Sequence, residues 1–275
     1  PTISTTYTKG SDVGTYPITV SGYTSDNYEI THTSGVITVD NAKFHVNVTG
    51  TYTYTGVAQT VSYTVTAVEP MVVGTDYTVT GESGTDAGSY TLTVTGLDGY
   101  AGTVESITWT IGKAPLTVTA DDKSVTYGDG VPDLTVSYDG FVNGETEDDL
   151  GGTLSVITTY VKGSNVGTYP ITASGYTSDN YEIAYVAGTL TVSPAAFTVS
   201  TSGTYTYSGV AQDVAYTATG VDGAILKLGT DFTVSGETYT KAGDYTLTAI
   251  GKGNYTGTQT AAWSIAKKAL TVTAD

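Results

Sequence analysis

Apolar and polar residues alternate strictly along much of this chain. In the run GSYTLTVTG at 88–96, Tyr90, Leu92 and Val94 fall on one side and Thr91, Thr93 and Thr95 on the other. That period of two marks a strand with one buried face. The run LTVTAD repeats the pattern at 116–121 and again at 270–275. Glycines, 34 in all, and Asp-Gly steps separate such runs, as tight turns between strands require. A single short segment, 144–150, reads as helical, with acidic residues in what would be its first turn, where they suit the helix dipole. The fold class predicted is all-β, built from many short strands.

The pattern also recurs at long range. SDVGTYPITVSGYTSDNYEI at 11–30 returns as SNVGTYPITASGYTSDNYEI at 164–183, a period of 153 residues that also relates Tyr7 to Tyr160 and Phe44 to Phe197. Self-similarity on this scale is the mark of an array. Two units alternate within the period. Unit A is complete once, at 114–196, and its C-terminal part occupies 1–43. Unit B occurs at 44–113 and 197–267, with anchors recurring in order: Tyr54/Tyr207, Gln59/Gln212, Asp76/Asp231, Gly88/Gly243, Tyr100/Tyr255 and Trp109/Trp263. Residues 268–275 begin another A unit, so the chain reads as an excerpt of something longer. Several short strands within about 70 residues predict a small sandwich for B. The joints are short: Gly112, Lys113, Ala114 and Pro115 lie between Ile111 and Leu116. Four residues reach little more than about 14 Å even when extended, and proline at 115 and at 194 stiffens the joints further. A semi-rigid, elongated rod is expected.

Composition narrows the function. There are no cysteines, so neither disulfides nor thiolate metal sites contribute. The net charge is −17, from 27 acidic and 10 basic residues, which disfavours nucleic acid and anionic membrane surfaces as partners. No apolar run approaches the roughly 18 residues of a membrane span.

Unit A carries Tyr127-Gly128-Asp129, the run Tyr138 to Gly144, Val166 to Ile171, and Asn180-Tyr181 with Gly188 to Val192. On these motifs it resembles the MBG domains of the YGX type found in long bacterial surface proteins. Unit B is similar to Ig-like repeats of Gram-positive and gut-bacterial surface proteins, through Tyr205 to Gln212, Gly229 to Phe232 and Gly251 to Gly257. The resemblances imply tandem Ig-like sandwiches and β-grasp-like domains in a secreted or wall-attached adhesin stalk, with neighbouring repeats as partners and no catalytic residues.

Candidate chemistry is sparse. His32 becomes Tyr185 and His45 becomes Thr198 in the other copy, which favours surface histidines over ligands or bases. No nucleophile motif or zinc signature is present, so an enzyme is not expected. Gly251, Gly253 and Gly257 lie between strand patterns with no helix to follow, which makes them turn glycines rather than a phosphate loop. Asp98 stands where the second B copy has Lys252, an argument against a shared ligand at that loop. The acidic cluster Glu145, Glu147, Asp148 and Asp149, with Asp121 and Asp122, is the candidate for structural calcium, which takes about six to eight oxygens. The competing expectation is a solvated acidic face. Lys9/Lys162 and Gln59/Gln212, retained between copies, are either covalent crosslink candidates or a surface lysine and a turn glutamine. Tyr176, Asp179, Asn180 and Tyr181 in the repeated GYTSDNYEI loop are the candidate contacts for host or matrix glycans, since tyrosine faces stack on sugars. The alternatives are therefore a passive extracellular spacer, a filament in which an incomplete A unit is completed by the next molecule, and a glycan-binding module.

Overall fold

The computed structural model describes residues 1–273; Ala274 and Asp275, the last two of the repeated 270–275 run, lie outside the described residues. The predicted alternation becomes strands throughout. In each B repeat, Gly and Tyr punctuate a four-stranded sheet. In the first its strand order is Tyr52–Thr53, Val104–Gly112, Gly88–Gly96 and Tyr77–Thr80, and in the second Tyr205–Thr206, Thr258–Ala266, Gly243–Gly251 and Phe232–Ser235. The first strand of each sheet lies parallel to its neighbour, pairing Tyr52 with Ile111 and Tyr205 with Ile265. The other pairings are antiparallel and keep register between copies, with Tyr90 opposite Trp109 and Tyr245 opposite Trp263. A two-stranded layer, His45–Thr49 with Ser62–Thr66 or Thr198–Ser202 with Ala215–Thr219, completes each sandwich.

The inward-facing positions are those of the sequence pattern. Leu92 and Val94 are wholly buried, as are Leu247 and Ala249, while the intervening threonines face outward. Each tryptophan is fixed by one glycine: Trp109 Nε1 donates to Gly81 O at 3.0 Å, and Trp263 Nε1 to Gly236 O at 3.0 Å. Both glycines have positive φ, +75° and +79°, and a Cβ there would stand 2.0 Å from Thr91 O or 2.3 Å from Thr246 O. No other residue fits.

The complete A repeat has two sheets. One runs Lys123–Thr126, Gly188–Ser193, Gly167–Thr177, Gly151–Thr158; the other runs Val136–Asp139, Ala114–Ala120, Tyr181–Val186. Val118 and Ala120 from the second sheet meet Ile171, Ala173, Leu190 and Val192 from the first in one apolar core, with Tyr160. That is a two-layer sandwich with no α-helix among the described residues. The helical expectation at 144–150 shrinks to one 3-10 turn, Glu147–Asp149, started by a capping box between Thr146 and Asp149. Single turns also occur at Asp98–Tyr100 and Val221–Gly223 in the B repeats, where an Asp at positive φ, 43° and 54°, makes a local bend that carries no apolar period to be read.

The first A copy contributes only Thr2–Thr5, Gly14–Ser21 and Gly35–Val39, as one antiparallel sheet. Here the sequence expectation and the structure part. LTVTA forms a buried strand at Ala114–Ala120, but residues 270–273 of the same run form none. Leu270 is 86% exposed, whereas its counterpart Leu116 is 1% exposed. Residues 28–33 likewise form no strand although their counterparts do. A strand exists only where a neighbour takes its hydrogen bonds, and among the described residues no strand pairs with either segment.

The chain divides into two compact units: Pro1–Pro115 with Gly140–Leu150 and Ser178–Glu182, and Leu116–Asp139 with Gly151–Thr177 and Ile183–Asp275. These do not follow the repeat boundaries. Two loops of the complete A repeat pack with the first B repeat.

Candidate functional site at the contacts between repeats

Within the first unit, the loop 178–182 plugs into the end of the first B repeat. Ser178 Oγ accepts from Asn180 N and Tyr181 N at 3.1 and 3.0 Å, which sets the turn. Asn180 then uses all its remaining polar groups on the B repeat and the linker: its backbone O accepts from Ala114 N at 2.9 Å, its Oδ1 from Ala87 N at 2.9 Å, and its Nδ2 donates to Asp86 Oδ1 at 3.1 Å. Lys113 Nζ donates to Ser178 O at 2.6 Å. Beside this latch, Tyr181 meets Tyr54 and Phe141 edge to face, with centroids 5.5 and 5.6 Å apart. Such pairs add to the burial of their rings. Tyr181 and Tyr54, 3% and 5% exposed, both donate their hydroxyls to Glu145, at 2.5 Å each, one to each carboxylate oxygen.

The hydrogen bond to Glu145, with burial, pushes the Tyr54 hydroxyl up to about 12. Burial, then the same carboxylate, raises Tyr181. Both neutral hydroxyls are thus favoured in the fold. A group whose folded value lies above its unfolded one contributes stability below the unfolded value and loses it as pH rises through the folded one. This contact therefore weakens between about pH 10, the ordinary tyrosine value, and about pH 12. Thermal melts across that range fall more steeply for the wild type than for Tyr54→Phe, which has no hydroxyl there to ionise. Parallel pH profiles would remove Tyr54 from the account.

The second unit builds the same latch from the other repeat type. Asn254 O accepts from Ala195 N at 2.9 Å, Asn254 Oδ1 accepts from Val166 N at 2.9 Å, and Asn254 Nδ2 donates to Asn165 Oδ1 at 2.9 Å. Tyr255, next in sequence, packs on Tyr127 at 5.5 Å and Phe197 at 6.4 Å. Val221 fits over Gly128, where a Cβ would come within 2.7 Å of it. An exposed ion pair, Lys162 to Asp222 at 2.9 Å, borders the contact. In the first A to B contact, Gly99 occupies the asparagine position. Its O still accepts from Ala42 N at 2.8 Å, and Asn41, where the second copy has Pro194, supplies an amide to Ala101 O at 2.7 Å instead.

Each receiving surface has one local form, a residue four before a tyrosine with glycine between them. The tyrosine hydroxyl donates back to the carbonyl of Asp12, Asp86, Asn165 or Lys241, at 2.6 to 2.7 Å. This holds the turn rigid in all four repeats.

Of the glycan candidates, Tyr181 and Asn180 are taken up by the joint, Tyr176 is half-buried with its hydroxyl 3.0 Å from that of Tyr138, and Asp179 is exposed. The calcium candidates fall in different units. Glu145 receives the two tyrosines; Asp149 accepts from Thr146 N at 2.8 Å; Glu147 and Asp148 are exposed. Asp121 accepts from the Thr135 hydroxyl, and Asp122 from Thr189 N at 2.7 Å. Among the described residues, no three His, Cys, Asp or Glu side chains converge as a metal site. His45 lies 3.4 Å from Glu105 on the surface. Gln59 and Gln212 donate to Thr53 O and Thr206 O, 2.9 and 3.0 Å, closing the turns in which they sit. No helix of the described residues is long and apolar enough to cross a membrane. Sequence reasoning missed the asparagine latch, although its signal was present as the Asn-Tyr pair that ends one loop in both A and B repeats.

Residues 1–38 and 116–191 match the family model of the MBG domain (YGX type). No curated protein matches the chain. Among solved structures, the chain is similar to immunoglobulin domains 1–4 of Sidekick-1, at 13% identity over 94% of this chain and 83% of that one, TM-score 0.30. An Escherichia coli adhesin is similar at 12% identity, over 84% and 98% of the two chains, TM-score 0.27. Domains 1–6 of a surface layer protein are similar at 15% identity, over 98% and 47%, TM-score 0.26.

Proposed function

We propose that this chain, whose A repeats match MBG domains of the YGX type, is a structural segment of a bacterial cell-surface or secreted adhesin-like protein and works as a semi-rigid spacer. The observation that carries this reading is the asparagine latch, made once by Asn180 on a B repeat and once by Asn254 on an A repeat. A side chain whose amide oxygen and nitrogen are both satisfied across a joint resists bending there, because tilting breaks both bonds together. The acidic surface supports an extracellular array, since like charge keeps neighbouring copies apart. No catalytic role is proposed, since none of the residues at these contacts combines a nucleophile with a base.

Small-angle scattering of the full chain at low concentration tests the reading. The wild type gives a single narrow distance distribution that chelator leaves unchanged, because protein atoms close the joints. Asn180→Ala with Asn254→Ala broadens it. A wild type that already requires a flexible ensemble overturns the spacer; a change on chelation assigns the joints to calcium instead.

A further inference from the structure

The two B repeats differ along one edge of the sandwich. Strand Val104–Gly112 pairs along its length with Gly88–Gly96, but on its other side it meets a strand only at Ile111 and Gly112, opposite Tyr52 and Thr53. Ahead of those two residues that edge has no strand neighbour among the described residues. Strand His45–Thr49 pairs with Ser62–Thr66 alone, so one of its edges is open too. A groove of about 640 Å³ runs between the two edges, past Val46, Val48, Tyr52, Thr108 and Thr110. We propose that this groove takes an extended, basic peptide of another protein as an added strand along Ser106–Thr110.

The backbone directions fit. Gly112 O accepts from Tyr54 N at 2.8 Å, and alternate residues of a strand turn their N–H and C=O groups to the same side. Ser106, Thr108 and Thr110 therefore present theirs to the groove. Across it, Val46 N faces the same space, since it donates to Glu105 Oε2 at 2.7 Å, and Val48 follows. The second B repeat closes this place: Thr201 Oγ1 donates to Ala262 O at 2.8 Å, and the hollow there is about 290 Å³. Val48 stands in the position of Thr201 and Thr108 in that of Ala262, so the first repeat has no hydroxyl to make the bridge. Open edges are ordinarily guarded by a charge, a proline or a bulge. In the complete A repeat, edge strand Gly151–Thr158 has a bulge between Gly152 and Ser155, and edge strand Lys123–Thr126 begins on a lysine. Ser106–Thr110, SITWT, has neither charge nor proline and keeps an unbroken register with Gly88–Gly96.

Charge selects the occupant. Glu105 stands at the end of the groove, 3.4 Å from the exposed His45. Among the described residues no lysine lines the groove, and the chain as a whole carries −17. That field draws cationic peptides, and a basic side chain at the peptide's end takes the place of His45 beside Glu105. At about 3.3 Å per residue, the open edge matches a peptide of about five residues. Main-chain hydrogen bonds supply the affinity of such an added strand, and its alternate side chains the selection.

Calorimetric titration and residue-resolved hydrogen exchange of the full chain test this with the capped peptide KVTVTVK, and with its acidic twin EVTVTVE as the control. The basic peptide binds at one site per chain and slows exchange at the Thr108 and Thr110 amides, which an added strand protects. Val48→Thr installs the bridge of the second repeat and weakens binding at least about tenfold, because it displaces two or more main-chain hydrogen bonds. Glu105→Gln, also the residue of the second repeat at Gln259, weakens binding about threefold and reduces its dependence on salt. Both residues already occupy these positions in a folded B sandwich. No binding up to ~1 mM, equal binding of the two peptides, or unchanged affinity in Val48→Thr overturns the proposal. So does exchange at Thr108 that slows with protein concentration when no peptide is present, which gives the groove to a second copy. None of these results touches the spacer reading, which rests on the joints.

Discussion

Tyr181→Ala lowers stability by about 3–5 kcal/mol, the usual cost of truncating a buried aromatic. The ring fills the space between Tyr54 and Phe141, and its hydroxyl serves Glu145 and also accepts from Val142 N at 3.1 Å. Truncation leaves Val142 N without that acceptor and leaves Glu145 with one tyrosine instead of two. Tyr181→Phe separates the two effects: it keeps the packing, removes the hydroxyl, and costs about 1–3 kcal/mol, the range for a buried polar group left unpaired. Urea unfolding gives the energies, and hydrogen exchange over 140–150 locates them, because that loop is held to the B repeat through Glu145 and through Asn143, whose amide donates to Gly56 O at 3.0 Å. A loss below about 1 kcal/mol for the alanine variant, outside the range for buried aromatics, would show that this contact contributes little to holding the loop.

Gly81→Ala produces the other large effect. One added methyl carbon must occupy a point 2.0 Å from Thr91 O on the neighbouring strand, with backbone φ at +75°. Neither the strand nor the turn can yield without shifting Trp109, whose indole nitrogen is bonded to the Gly81 carbonyl. The expected loss is about 3 kcal/mol or more, since backbone strain and displacement of the core act together. Gly74→Ala is the control. Its φ is +82° but nothing lies within 4 Å of the added carbon, so only the conformational cost of about 1–2 kcal/mol remains. Equal losses for the two variants would mean that the collision is relieved by movement.

The long strands were legible because each buries one face, and a period of two is all that a half-buried strand needs to write into a sequence. Leu92, Val94 and Trp109 sit where the pattern puts them. What the pattern could not carry is whether a strand has a partner. The LTVT run is identical at 116–119 and 270–273, yet it is a central strand in one place and exposed chain in the other, since pairing is a property of the neighbours. The same limit applied to the loops. Tyr181 and Tyr28 have the same flanking residues, and sequence alone offered Tyr181 as a sugar-stacking surface, but a B repeat covers Tyr181 and leaves Tyr28 exposed. Glu145 read as one of several acidic residues because its two tyrosine donors come from positions 36 and 91 residues away.

The tyrosine-braced turn occurs in all four repeats, at Asp12, Asp86, Asn165 and Lys241, and the asparagine that enters it comes from an A loop in one joint and a B loop in the other. A and B are thus built to a common coupling standard despite their different folds. Adding or removing a whole A–B pair would then reproduce only junctions of the kinds already present, an A loop on a B repeat and a B loop on an A repeat. On the spacer reading proposed above, length would then change with copy number and would need no new interface.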